Sequence, residues 1–280
     1  VSRSAGAPLA LEIAVTSTSG ARAARDGGAD RIELCSALEL GGVTPSAALV
    51  EAVSAVGLPV QALVRCRPGD FVYDIDEIGL MAAEVRSVIA SGAGGVVIGA
   101  LTAKGALDTE AMRRLVEAAH SAGTAAGRPV EVTLHRAIDQ AADPAAAASL
   151  APSLGLTRIL TSGGAVTAAA GLATIGEMVA AAPGVEVMAG AGVRPPDVAR
   201  LAAAGVAAVH LSAKRAAPAH RGGTWVPMGA AGSSADADTH FVTDPYTVAA
   251  ARAAVDAVGP PSRGGARAGR GLPGHLAPDF

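Results

Sequence analysis

The run Glu131-Val-Thr-Leu-His-Arg-Ala-Ile-Asp139 packs an acid, a hydroxyl, an imidazole, a guanidinium and a second acid into one short segment. Read with the two-residue period of a strand, Glu131, Thr133 and His135 share one face, and Val130, Val132 and Leu134 share the other. The apolar face suits packing beneath helices. The polar face suits proton transfer, because an imidazole titrates near neutral pH and a carboxylate can act as its partner or as a base. Arg136 and Asp139 follow where a loop would begin. Glu33 stands in a similar place near the end of an earlier strand-like run, Arg31 to Cys35. Glu33, His135 and Asp139 are therefore the candidate catalytic groups.

Groups that could hold an anion lie elsewhere. Thr161-Ser162-Gly163-Gly164 and Gly190-Ala191-Gly192 each follow a short apolar run, and Ser212 ends another. Glycine lets backbone N–H groups approach a phosphate or carboxylate closely, although the same residues also make plain tight turns. Arg65 and Arg67, two apart and followed by Asp70, could grip such a group bidentately, with Arg136 adding charge. The competing reading of Arg65 is a structural salt bridge to Glu33.

For a soft metal, thiolate and imidazole groups must converge. Cys35 and His210 are the candidate ligands, with His135 and Met188 nearby in strand phase; an inward cysteine can equally be a small buried apolar group. No Cys-x-x-Cys or His-Glu-x-x-His run is present, which argues against a closed zinc site. Nor is there a Gly-x-Ser-x-Gly elbow, and Lys214 sits only just past the last strand-like run.

The elements that must position these residues follow a steady rhythm. Strand-like runs are expected at 11–15, 31–35, 60–65, 95–101, 130–135, 158–161, 185–189 and 207–212. Helical patterns fill the gaps: 17–27, from Thr44-Pro45 onward, 75–91, 108–122, from Asp143-Pro144, 167–182, 195–204, and 244–258. Strict alternation implies parallel strands joined by right-handed crossovers, and this number of units in some 250 residues matches an α/β fold of the (β/α)8 TIM-barrel type. A doubly wound open sheet is the rival. In a barrel, the alternation points Glu12, Arg31, Glu33, Arg65, Glu131, His135, Glu186 and His210 into the lumen. Ions removed from water need partners, so Arg31, Glu131 and Glu186 are expected to neutralise one another. Glu33, Arg65, His135 and His210 fall at strand ends, where barrels keep their chemistry.

Bulk composition removes other classes. Half of the 280 residues are hydrophobic but only 2% are aromatic, so the core must be aliphatic. A net charge of −3 and so few aromatic platforms argue against nucleic acid as a partner. No apolar run is long enough to span a membrane. Two cysteines are too few for a disulfide framework, which points to a cytoplasmic setting. The expected organisation is a flexible leader (1–10), one barrel domain (11–258) and a disordered tail (259–280) rich in Gly, Pro and Arg. The 214–243 stretch reads as a long loop, placed either over the mouth or in a contact between copies of a homo-oligomer.

Taken in series, these segments resemble the copper homeostasis protein CutC family. The carrying residues are Gly27-Gly-Ala-Asp-Arg-Ile-Glu-Leu-Cys-Ser36, Gly41-Gly-Val-Thr-Pro45, Arg65-Cys-Arg-Pro-Gly-Asp-Phe71, Leu134-His-Arg-Ala-Ile-Asp139, Leu160-Thr-Ser-Gly-Gly164, Val209-His-Leu-Ser-Ala213 and Val242-Thr-Asp-Pro245. The resemblance covers about residues 11–256 and implies a cytoplasmic TIM barrel associated with copper homeostasis and copper ion binding. The sequence departs from the family pattern in places. Glu12, Ala14 and Thr16 stand where the family has Glu-x-Cys-x-Asp, so of its two copper-linked cysteines only Cys35 remains. Cys66 replaces a proline, Pro68 a glycine, and Met188-Ala-Gly-Ala-Gly192 a Met-Pro-Gly-Gly-Gly. Two functions are therefore carried forward: a CutC-like protein of copper handling, and a lyase- or isomerase-type enzyme acting on a small anionic, phosphorylated metabolite at the barrel mouth.

Overall fold

A computed structural model describes residues 8–217 and 240–259. Most of the expected leader, the tail beyond Gly259 and the centre of the 214–243 stretch lie outside the described residues. Eight parallel strands close into a barrel in sequence order: β1 (Ala10–Val15), β2 (Arg31–Leu34), β3 (Val60–Leu63), β4 (Gly95–Ile98), β5 (Glu131–Leu134), β6 (Arg158–Thr161), β7 (Glu186–Ala189) and β8 (Ala208–Leu211). The first and last strands pair directly, with Glu12 beside His210 and Ile13 beside Leu211. The barrel, and not the open sheet, is the fold.

The helices are α1 (Thr18–Asp26), α2 (Ala47–Ser54), α3 (Ile75–Ala90), α4 (Thr109–Ala125), α5 (Pro144–Ser149), α6 (Leu172–Ala181), α7 (Val198–Ala203) and α8 (Pro245–Val258). Their starts follow local chemistry. The Ser17 side chain caps α1, a reciprocal Asp74–Glu77 box opens α3, and Asp108 caps α4. Asp143 and Asp244 cap α5 and α8, each followed by a proline whose missing N–H is no loss there. Two starts differ from expectation. Ser46 caps α2, not Thr44, whose hydroxyl is taken by the Glu84 carboxylate and by the Arg65 backbone N–H. And α6 starts at Leu172, because residues 167–171 are held in turns in which Thr167 accepts from Ala170 and Gly171.

The main core lies between strands and helices. Leu11, Ile13, Ile32, Leu34, Ile98, Leu134 and Ile159 point outward from the strands into one apolar layer that also holds Met81 and Ile89 of α3 and Met112 and Leu115 of α4, all fully buried. Each such side chain contributes roughly 1.5–3 kcal/mol through burial. The lumen is different. Its apolar side chains form two separate patches, Cys35–Leu63–Val97 on one wall and Leu160–Met188–Ala208 on the other. Charged groups divide them. The expected 214–243 loop is not structureless at its ends: β9 (Lys214–Ala216) pairs antiparallel with β10 (Phe241–Thr243), and Lys214 Nζ stands 4.1 Å over the Phe241 ring.

Candidate functional site

The site is built above an ionic floor. Arg31 donates to the Glu12 carboxylate and lies 3.8 Å from Glu186. Arg158 donates to Glu186 at 2.8 Å, to Glu131 at 3.3 Å and to Thr133 at 3.2 Å. Gln61 completes the layer, donating to Glu131 at 2.7 Å. Arg31, Glu131 and Glu186 do neutralise one another, but through Arg158, which the sequence reading did not place. A signal existed: an arginine at the first residue of a strand, in phase with Leu160, in a barrel already holding unpaired acids.

Glu12 also accepts from His210 Nδ1 at 2.8 Å. Burial pushes the Glu12 carboxyl up, yet the His210 hydrogen bond and the Arg31 charge outweigh it and hold the group below the usual carboxylate range. For His210, burial favours the neutral ring, but the carboxylates of Glu12 and Glu33 together raise its pKa.

Over this floor, at the C-terminal ends of the strands, lies a cavity of about 690 Å³, the size of a small-metabolite pocket. Glu33, Arg65, His135, Arg136, Asp139, His210 and Lys214 supply its charged and titratable lining, with Leu63, Phe71 and Leu160 between them. Glu33 is only 7% exposed, and its Oε2 has no hydrogen-bond partner among the described residues. Burial raises its pKa to about 7, against the pull of His210 and with a further push from Glu12. It therefore exchanges a proton near neutrality.

His135 has the opposite character. Its Nδ1 accepts from the Ala137 backbone N–H at 3.1 Å, which leaves the proton on Nε2. That buried Nε2 has no partner among the described residues. Burial, then the nearby Arg65 charge, drive its pKa down to about 3, so the ring is a neutral donor. Gly99 makes room for it: a Cβ there would stand 2.5 Å from the imidazole.

Arg65 is 6% exposed. It donates to the carbonyls of Leu40 (3.2 Å), Gly42 (3.1 Å) and Gly69 (2.7 Å), and its guanidinium stacks 4.9 Å from the Phe71 ring centre. Arg31 and Arg158 each meet two carboxylates. Among the described residues, no carboxylate stands within ion-pair distance of Arg65; the expected bridge to Glu33 is not formed.

Other expected members are placed differently. The loop after β6 does form an anion nest, but its occupant is Asp139. That carboxylate accepts from Thr161 Oγ1 (2.6 Å), Ser162 N (2.9 Å), Ser162 Oγ (2.9 Å), Gly164 N (3.2 Å) and Arg136 Nε (2.8 Å). Thr161, Ser162 and Gly164 thus spend these donors internally, and the Gly163 N–H goes to Thr161. Asp139 is fixed as a brace, its lone pairs already engaged. Arg67 and Asp70 do not line the cavity. The chain leaves strand geometry after Leu63, so the two arginines no longer share a face; Arg67 instead holds Glu77, Asp70 (3.2 Å) and the Val72 carbonyl (2.8 Å). Gly190 makes room for Leu160 and His210, while Gly192 and Ser212 lie on the cavity wall.

Cys35 is buried in the patch with Leu63 and Val97 and is absent from the cavity lining. Burial first, then Glu33 and Glu39, push its thiol well above the ordinary range, so the sulfur stays protonated. Met188 sulfur accepts from Arg31, and Cys66 packs against the outer core. These residues do not fit a two-thiolate Cu(I) site. The expected Cys35–His210 pairing is replaced: the donors that converge with His210 are Glu12 and Glu33, one atom of each lying within 4.8 Å of the others.

Comparison with known proteins agrees with this architecture. The CutC family model matches residues 9–215. A family protein CutC of Agrobacterium fabrum is 44% identical over 171 residues, 61% of this chain and 65% of that protein. One of Sinorhizobium medicae is 46% identical over 160 residues, 57% and 62% respectively. The chain thus spans just under two thirds of the length of these curated relatives. Among solved structures, CutC of Streptococcus agalactiae, a protein named for copper homeostasis, superposes with a TM-score of 0.65 at 24% identity, covering 73% of this chain and 98% of that one. A 2,3-dimethylmalate lyase gives 0.53 at 16% identity over 73% and 76%; both structural likenesses speak to the fold. Residues 9–215 supply every strand of the barrel and most of its mouth, and the chain belongs to the CutC family.

Proposed function

We propose that this CutC-family barrel serves in copper homeostasis, the role for which its structural relative is named, and that its working part is a small-anion site at the mouth. The observation that carries the second half is Arg65: a buried guanidinium with carbonyl partners but no counter-ion among the described residues. A buried charge without its opposite costs several kcal/mol, and a ligand carboxylate or phosphate would supply that opposite charge.

The same cavity favours lyase or isomerase chemistry. With the ligand's anionic group at Arg65, the His135 Nε2–H is a neutral donor for a carbonyl oxygen. Glu33, poised near neutrality, would take a proton from the adjacent carbon and return it to the product. His210, held by Glu12, faces Glu33 from the other side. Two unpaired cysteines support a reducing, cytoplasmic setting for this work.

Thermal-shift and calorimetric titration with small phosphorylated and carboxylated metabolites tests the reading. The expected result is saturable binding that Arg65→Gln weakens at least tenfold. Anion binding indifferent to Arg65 would overturn it. Cu(I) titration under reducing conditions is the second arm. Cys35→Ser should leave Cu(I) uptake unchanged, and its loss in that variant would return the thiol to the site.

A further inference from the structure

Among the described residues, the carboxylates of Glu12, Glu33, Glu131 and Glu186 reach the lumen below the rim, and the arginines that pair with any of them there are Arg31 and Arg158. The two guanidiniums account for Glu12, Glu131 and Glu186. Glu33 is left over, with Oε2 buried and unpartnered among the described residues. With every group ionised, His210 included, this layer carries one negative charge in excess. Donor atoms of Glu12, Glu33 and His210 meet at that point, mutually within 4.8 Å. Glu33 and His210 also open onto the cavity.

We infer that Glu12, Glu33 and His210 form a binding site for a divalent cation at the base of the mouth cavity. An ion with oxygen and nitrogen ligands at about 2.0–2.2 Å in tetrahedral geometry holds its donors about 3.3–3.6 Å apart. The donors here lie within 4.8 Å of one another, with Glu12 Oε1 already 2.8 Å from His210 Nδ1, so side-chain adjustment closes the set on an ion. The set is two carboxylates and one imidazole, which suits zinc, manganese or iron in the divalent state and does not suit Cu(I). Three protein donors leave coordination positions open toward the cavity, the arrangement of a site that meets a ligand rather than one that only staples a fold. Arg31 behind Glu12 orients that carboxylate from the far side. The site shares Glu33 with the proton-transfer reading, whereas anion binding rests on Arg65.

The test is calorimetric titration of the metal-stripped full chain with Zn²⁺ and, separately, with Mn²⁺. One ion per chain is expected, with Glu33→Gln and His210→Gln each weakening the dissociation constant at least tenfold. Arg65→Gln and Cys35→Ser should leave it unchanged, so a failed metal site and a failed anion site read out separately. X-ray absorption of the zinc-loaded wild type needs no variant and should show oxygen and nitrogen neighbours only. Absence of one-to-one uptake, uptake indifferent to both Glu33 and His210, or sulfur in the zinc shell would each overturn the inference.

Discussion

Glu12 and His135 are both buried at the lumen, and each responds differently to loss of its environment. Glu12 is 1% exposed and depends on Arg31 for its charge balance. Arg31→Met should therefore cost about 3–5 kcal/mol of stability, since it strands a buried carboxylate. Adding Glu12→Gln should restore at least half of that; urea unfolding of the two variants and the pair measures it, and simple additivity would refute the coupling. For His135 the sign runs through its depressed pKa of about 3 against the ordinary 6.5. The unfolded chain binds the proton first, so the contribution is full above pH 6.5 and is lost as pH falls from there toward 3. The expected slope is about 1.4 kcal/mol per pH unit. His135→Asn keeps an acceptor for the Ala137 N–H and should flatten this slope between pH 7 and 5 in denaturant titrations. The inward pointing of Glu33, His135 and His210 was legible from period-two alternation. The Asp139 nest was not, because it depends on two loops meeting in space, and no spacing along the chain records which side chain will reach the glycines first.

At the scale of elements, glycines show where packing, not turn geometry, decides. Gly171 lies so close to the β6 loop that a Cβ would fall 1.9 Å from the Ser162 carbonyl oxygen, and one at Gly163, where φ is +69°, would meet the Gly171 oxygen at 2.3 Å. Gly176, inside α6, has nothing within 4 Å of such an atom. Gly171→Ala should lower stability by about 2 kcal/mol or more and loosen the nest around Asp139. Gly176→Ala should raise it by about 0.5–1 kcal/mol through helix propensity. Thermal melts of the two single variants check the pair, and equal effects would contradict the packing argument. Helix starts were readable where an acid precedes a proline or an acid-rich first turn, as at Asp74, Asp143 and Asp244. They were misjudged at Thr44 and Thr167, whose hydroxyls were spent on tertiary and turn contacts that mimic a cap in sequence.

For the whole molecule, the alternation of strand and helix favoured a closed barrel over a doubly wound open sheet, and only the direct pairing of the first and last strands decides between them. The family-matched region ends at residue 215, yet the helical layer continues beyond it. Helix α8 buries Val248, Ala251 and Val255, and Arg252 pairs with Asp30 at 3.0 Å. Val248 sits so near Gly27 that a Cβ there would come within 2.5 Å. A chain ending at Ala217 should therefore lose cooperative unfolding and expose apolar surface to a hydrophobic dye; a sharp, unaltered melt would show that α8 is dispensable.

The Asp139 brace carries one more consequence. With the Thr161, Ser162 and Gly164 donors beside β6 already spent, the buried guanidinium that lacks a carboxylate among the described residues stands beside β3. On the proposed reading the mouth imposes a heading: the charged end would dock at Arg65, and whichever atom trails behind it would be the one presented to Glu33. With the His135 Nε2–H as a third contact, mirror-image guests would not both satisfy the mouth, so the barrel would distinguish handedness.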